Sequence, residues 1–526
     1  MANFLADANS HTSHKLASTI GRNTIFGVVA NVVQVLTRLV TVPIVIHHLG
    51  LGGYGIWNVI MMSATYMRFG SVGIKTAFQK YVAEATGDGN YDRANRLLST
   101  GAAIMLALSV AGLIPVFLFS RGIARLAGVP AEFLQSAAGA IAVLAVIMLM
   151  ANVGAAFEAI VMGGHRIDLV RKFNTFFSVA EAGAIVVALH FGYGLTAMAA
   201  IMGTSELLYL TCCYFAAHRI IPQIRLGVRW LSKSVLYELV RFAGSYQLVN
   251  VLEVVYNSLI PIAILRGFGA NSAGVYAVVT RVVTSATAIQ TSFLPPILSA
   301  GTMVFASGSA EKMQALLSKA LKVTLGLSLF PLGFIAVFGP TMAYAWTGQT
   351  DPSFRAAFWW VCLSTLFGAF SLLALVLYRV SGRALLDNVR QVLRIAFIVG
   401  VVALAPRLGF VGVLVGLACC ELAGMLFMLY ALAKTFDVFR AKVVLPGTVR
   451  LSVAAVLILA AGFAASYIPL PGYLASRLLA TLKLVEAGLA CLIVAWPLLM
   501  RTGSVTAAEK QALFTSFFPK LSRSNG

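Results

Sequence analysis

Charge is scarce in this sequence, and negative charge most of all. Of the 526 residues 11% are charged and 60% are hydrophobic, with 18 acidic side chains against 39 basic ones. A soluble domain of that length would have too little polar surface to stay dissolved. Cysteine is equally thin: Cys212, Cys213, Cys362, Cys419, Cys420 and Cys491 all fall within apolar runs. They are expected to pack as small side chains and not to form a disulfide framework, and no histidine stands at zinc-ligand spacing from them. No metal or other cofactor is expected. Residues 1–21 are polar and lack the apolar core of a signal peptide, so the chain is expected to keep its N-terminus and to use its first span as an uncleaved anchor.

What the sequence has in quantity is one apolar run after another, each about 20 residues long, the length that crosses a bilayer. Fourteen spans are read, centred near Val35, Ala64, Leu108, Val146, Val179, Ala200, Val251, Ala286, Ser328, Ser364, Ile395, Leu417, Leu457 and Ala487. The division between the fifth and sixth is the least marked. The fold class that follows is an all-α polytopic membrane protein.

Net charge is +21, and its distribution orients the chain. Alternate segments collect Lys15 and Arg22; Lys80, Arg93 and Arg96; Arg166, Arg171 and Lys172; Arg219, Arg225, Arg229 and Lys233; Arg379, Arg383 and Arg390; and Lys434, Arg440 and Lys442. The segments between them hold little beyond Arg121, Arg125, Arg266, Arg355, Arg407 and Arg477. The basic set is expected to face the cytoplasm of a bacterial inner membrane, with both termini on that side of an even number of spans. These cations are scattered over loops and not gathered on one folded domain, so no nucleic-acid partner is expected.

Shifting the chain by 219 positions brings two halves into register. "LGLGGYGIWN" from Leu49 falls on "FGANSAGVYA" from Phe268, with Gly50 on Gly269, Gly55 on Gly274 and Trp57 on Tyr276. Further on, Asp92 meets Glu311, Arg93 meets Lys312, and Leu97, Leu98 and Ser99 meet Leu316, Leu317 and Ser318 without a gap. A repeat of six spans inserts both copies in the same orientation, so the halves are expected to be related by an axis along the membrane normal with substrate between them. The expected organisation is a cytoplasmic tail over 1–22, an N-lobe of spans 1–6 over 23–218, a basic cytoplasmic connector over 219–234, a C-lobe of spans 7–12 over 235–434, spans 13–14 over 435–500 as an appendage, and a cytoplasmic tail over 501–526.

Polar residues inside the spans repeat as well. In the first span Asn31, Gln34 and Arg38 are spaced three then four apart, on one helical face that Thr41 extends. The same offset carries them onto Asn250, Glu253 and Asn257 in the seventh. A charge at a lipid-facing helix centre costs ~2.5–3.5 kcal/mol on insertion scales, so paired stripes are best explained by a wet cavity. The second span adds Arg68 and Lys75, and the eighth adds Arg281 with Thr284 and Thr291 on its face. Pairing of Arg38 with Glu253 would account for one cation, but Arg68, Lys75 and Arg281 have no acidic partner in their own helices. A net cationic cavity suits an anionic substrate.

Other signals carry less. "GLGGYG" (Gly50 to Gly55) fits a dinucleotide-loop pattern but follows a span and not a strand, so it reads as a tight turn. Glu158, Glu181, Glu206 and Glu421 fit hydrogen-bonded packing roles better than proton sites, His47 and His48 read as interface residues, and Gly412 with Gly416 suits close helix packing. The longest outer loop, "GPTMAYAWTGQTDPSF", holds one Asp and no His or Glu. That is poor equipment for acid–base work, and no enzymatic activity is expected.

The segments "HHLGLGGYGIWNVI" and "SVGIKTAFQKYVAEATGDGNYDRANRLLSTG", with the weaker echo "GANSAGVYAVVTRV", resemble the Wzx-type polysaccharide-unit flippases of the multidrug/oligosaccharidyl-lipid/polysaccharide exporter superfamily. The resemblance implies a V-shaped pair of six-helix lobes whose first, second, seventh and eighth helices line a central cavity. It also implies translocation of undecaprenyl-pyrophosphate-linked oligosaccharide units by alternating access, for surface polysaccharide export. Arg38, Arg68 and Arg281 would then attract the pyrophosphate, Lys75 would meet it near the cytoplasmic mouth, and Asn31, Gln34, Asn250 and Asn257 would bond sugar hydroxyls. Glu253 is the candidate for an ion pair or for coupling. The partners implied are the lipid-linked anionic glycan, membrane lipids, and the polymerase and export components of a polysaccharide pathway. A lipid II flippase or a multidrug exporter of the same superfamily is the nearest alternative. A glycan-assembly membrane enzyme or scaffold is the alternative of another class.

Overall fold

A computed structural model describes residues 35–62, 88–292, 309–380, 385–435, 441–465 and 476–501, apart from Arg38 and His165, with residues 33, 78, 81, 82, 84, 297 and 301–305 as isolated additions. Among the described residues the chain is helical and contains no strand. The helices are α1 (Val35–Met62), α2 (Tyr91–Leu118), the short α3 (Ser120–Leu126), α4 (Leu134–Gly163), α5 (Ile167–His190) and α6 (Leu195–Ile220). They continue with α7 (Lys233–Ser292), α8 (Ala310–Thr347), α9 (Ser353–Val380), α10 (Leu385–Thr435), α11 (Ala441–Ala465) and α12 (Ser476–Arg501). Ten stretches among the described residues are long and apolar enough to cross a membrane.

Two of these helices are too long for one crossing. α7 has 60 residues and α10 has 51, so each would reach at least ~75 Å if straight, more than twice the hydrocarbon core. Each is broken by a glycine of positive φ, Gly269 at 84° and Gly409 at 71°. Each therefore supplies two spans, the seventh and eighth in α7 and the eleventh and twelfth in α10. Gly50, at 72°, breaks α1 in the same way. The weakly marked fifth and sixth spans are α5 and α6, parted by a turn at Gly192 (φ 81°). The second-span centre near Ala64 lies outside the described residues.

The chain divides into two compact units, residues 1–274 and 275–526. In the first, α4 is the most enclosed span, 61% buried over its apolar window. Its buried face is rich in alanine, including Ala137, Ala140, Ala155, Ala156 and Ala159, which lets α6 approach closely. At Gly154 a side chain would collide with Leu210 of α6. Phe78, Val82, Ala94, Leu98, Ala156, Ala159, Ala217 and Ile221 form a cluster joining the second span, α2, α4 and α6.

In the second unit α9 packs on α8 and α10, and α11 and α12 pack on each other and on α8. Arg477 at the start of α12 donates to the Trp346 carbonyl at 2.8 Å, satisfying an orphan acceptor at the C-terminal end of α8. Most of the expected long outer loop is helix. α8 runs to Thr347 and α9 starts at Ser353, because Gly348 closes α8 in the left-handed conformation and its N–H bonds the Tyr344 carbonyl. All six cysteines are free, with Cys213, Cys362 and Cys420 buried.

Candidate functional site

The polar stripe of the seventh span lies on the first limb of α7. Glu253 and Asn257 are both exposed there, while Tyr256 and Ser258 beside them are buried. Two polar groups on the open face, one of them a carboxylate, are what a wet surface allows and lipid does not. Asn250 is one turn before Glu253 on the same helix. Asn31, Gln34, Arg38, Arg68 and Lys75 lie outside the described residues, and so does any pairing of Arg38 with Glu253. In the first span Thr37 and Thr41 send their hydroxyls to the carbonyls of Val33 and Thr37, at 2.8 and 2.7 Å. Thr41 is thus already satisfied by its own helix.

Arg281, on the second limb of α7 in the second unit, is partly buried. Its Nε is enclosed and donates to no protein acceptor, and among the described residues no carboxylate pairs with it. The hydroxyls that follow it are occupied. Thr284 Oγ1 donates to the Thr280 carbonyl at 2.7 Å and Ser285 Oγ to the Arg281 carbonyl at 2.8 Å. A guanidinium carries five donors in a fixed fork, so Arg281 keeps capacity for an external acceptor that its neighbours lack.

A second set of charges, enclosed between the two limbs of α10, is not legible as a cluster in the sequence. Asp387, Arg390, Gln391 and Arg394 lie along the first limb of α10 at helical spacing, with Glu421 on the second limb. Asp387, Arg390, Gln391 and Glu421 are buried at 3%, 6%, 1% and 5% exposure. Arg390 bonds Asp387 at 3.0 Å, and Arg394 bonds Gln391 at 2.9 Å and pairs with Glu421. Among the described residues, two cations here meet two carboxylates. Arg390, grouped in the sequence with the basic segments, is a buried residue near the start of α10, where Asp387 compensates its charge. The spacing 387, 390, 391, 394 is the available signal. Glu421, expected to pack by hydrogen bonding, does so with Arg394. Ser205 Oγ, beside Glu181, donates to the Phe177 carbonyl at 3.3 Å.

Glycines at the helix turns let backbones of the first unit approach closely. A side chain at Gly55 would strike the backbone of Gly274, and one at Gly274 would strike the Leu51 carbonyl. The two segments that match at the 219-residue offset therefore touch. Gly416 faces Val401 across the two limbs of α10, whereas a Cβ at Gly412 would meet only Leu408 of its own helix. His47 and His48 are exposed, and His48 Nδ1 lies 2.8 Å from the Ile44 carbonyl.

Among known proteins, the MatE family model matches residues 24–183. A search of curated proteins finds no match. Solved structures that share the fold include the following three. A multidrug resistance MATE family transporter of the MOP superfamily, in an inward-facing conformation, is 16% identical with a TM-score of 0.64, over 76% of this chain and 96% of that one. The lipid II flippase MurJ, in an inward closed conformation, is 12% identical with a TM-score of 0.68, over 91% of this chain and 99% of that one. A MOP superfamily transporter from Pyrococcus furiosus is 16% identical with a TM-score of 0.57, over 80% and 96%. The fold is that of MOP superfamily transporters.

Proposed function

We propose that this chain is a flippase that moves undecaprenyl-pyrophosphate-linked oligosaccharide units across the bacterial inner membrane by alternating access, for surface polysaccharide export. The observation that carries the reading is Arg281. It is a partly buried cation without an acidic partner among the described residues, in a chain that neutralises Arg390 and Arg394 with carboxylates. An uncompensated intramembrane cation is costly unless it meets an anion or water, and a pyrophosphate crossing the membrane is such an anion. A cation-transporting multidrug exporter would gain nothing from it. Exposed Glu253 and Asn257 supply hydrogen-bonding groups for a hydroxyl-rich head group. Arg38, Arg68, Lys75, Asn31, Gln34 and Asn250 complete the proposed binding set, and Glu253 is its one candidate for ion coupling.

A second reading has an observation of its own. The lipid II flippase covers 91% of this chain, against 76% for the MATE transporter. Complementation separates the two. Bacteria lacking a lipid-linked glycan flippase, and bacteria depleted of their lipid II flippase, are each given this chain at matched protein level. Rescue of surface glycan without rescue of wall synthesis supports the first reading, and the reverse supports the second. Rescue of neither, with the protein in the membrane, would overturn both.

A further inference from the structure

We infer that the connector between the sixth and seventh spans is a binding surface for anionic phospholipid headgroups. α6 ends at Ile220 and α7 begins at Lys233, so this segment joins two helices read as membrane spans and belongs at the membrane surface. Its backbone is fixed by α2. Asn95 Oδ1 accepts from the Arg225 N–H at 2.8 Å, and Asn95 Nδ2 donates to the Gln223 carbonyl at 3.3 Å. Ser99 Oγ accepts from the Gly227 N–H and Thr100 Oγ1 from the Ser232 N–H, both at 3.1 Å. The three α2 side chains are buried, so the segment is held as a shaped ledge.

What the ledge displays is unsuited to water alone. Val228 is 83% exposed, Leu231 47% and Tyr237 70%. Interleaved with them are Arg219, Arg225, Arg229 and Lys233, all exposed. Arg229 stacks on the Trp230 ring at 5.2 Å. No acidic residue occurs between Arg219 and Tyr237, and Glu238, next in line, is engaged by Tyr81 and Arg93. Apolar side chains among cations on an immobile segment at a bilayer surface match the boundary between acyl chains and negative headgroups. The C-terminal residues 502–526 cannot neutralise the ledge, since Lys510, Lys520 and Arg523 outnumber Glu509 there. The occupant is the anionic lipid of the leaflet that the basic segments face.

The test uses the full chain in phosphatidylcholine nanodiscs carrying a trace of either photoactivatable phosphatidylglycerol or photoactivatable phosphatidylcholine, with the labelled peptides mapped by mass spectrometry. Phosphatidylglycerol should label 221–237 in clear excess over phosphatidylcholine. High salt should shrink that excess in the unaltered protein, which needs no variant to fold. Each of Arg225→Gln, Arg229→Gln and Lys233→Gln should reduce it about fivefold, the attraction expected per surface cation. Equal labelling by the two lipids, or an excess indifferent to salt, would overturn the proposal. So would absent lipid labelling at 221–237 together with chain-to-chain cross-links there on adding a bifunctional lysine reagent, because they would assign the ledge to a second copy of the chain.

Discussion

At the scale of single residues, a polar side chain in a span announces itself against an apolar background, and this makes the stripes of α7 legible in the sequence. Glu253, Asn257 and Arg281 stand out that way. The ion pairs of α10 do not, since Arg394 finds Glu421 27 positions away, and a linear sequence does not say which spans adjoin. The two sets predict different behaviour. Arg281→Ala should abolish glycan export at normal membrane abundance, and Arg281→Lys should keep part of it, because a point charge survives without the planar fork. Full export by Arg38→Ala, Arg281→Ala together would mean the cations do not handle substrate. Glu421→Ala should act on folding instead. It strips the carboxylate from the partly buried Arg394, a loss of about 3–5 kcal/mol, and should lower the melting temperature in detergent. Replacing Arg394 and Glu421 together by Met and Leu should recover most of that loss. If Glu421→Ala melts like the unaltered chain, the pair is not holding the α10 limbs together.

At the scale of elements, the turns are easier to read than the spans they join. "LGLGGYG" and "FGANSAG" look like turns from glycine placement, and Gly50 and Gly269 have positive φ at both. Two more turns are matched at nearly the same separation, Gly128 with Gly348 and Gly192 with Gly409. The turns that lead into α2 and α8 agree as well. Asn90 caps α2 by accepting from Arg93 N–H, and Ser309 caps α8 by accepting from Lys312 N–H. What the sequence does not reveal is how tightly two of these turns approach. Gly55 has room for no side chain because the Gly274 backbone occupies the space. Gly55→Ala should therefore force a backbone shift costing about 1–3 kcal/mol, visible as lower thermal stability. An unchanged melting curve would mean that the approach is not maintained. The connector clamp is also illegible, because Asn95, Ser99 and Thr100 bond backbone atoms more than 120 positions away. Asn95→Ala leaves the Gln223 carbonyl and Arg225 N–H without their partner, at a cost of about 1–3 kcal/mol. Faster trypsin cleavage at Arg225 and Arg229 is the expected readout, and an unaltered rate would show that the ledge is fixed by other means.

At the scale of the whole molecule, orientation in the bilayer rests on charge. The basic segments alternate with nearly neutral ones along the fourteen spans read from the sequence, and a single orientation satisfies them together. The turn glycines sort the same way. Gly50, Gly128, Gly192, Gly269, Gly348 and Gly409 all belong to the sparsely charged side, whereas Gly89 belongs to the basic one. Labelling of introduced cysteines tests this, and the backbone decides where to put them. Gly89 and Gly348 have φ of 69° and 74°, which a cysteine adopts only with strain of about 1–2 kcal/mol, so neighbouring exposed positions are better. In a chain whose six native cysteines are replaced, Asp88→Cys and Ser234→Cys should resist a membrane-impermeant thiol reagent applied to intact cells and react once the membrane is opened. Thr350→Cys, in the short turn between α8 and α9, should react in both conditions. Because these sites flank spans two to three, six to seven and nine to ten, an error in the number of spans would reverse one of them relative to the others. Reversal of all three would instead leave the span count standing and turn the protein over, placing the connector and its cations on the outer face.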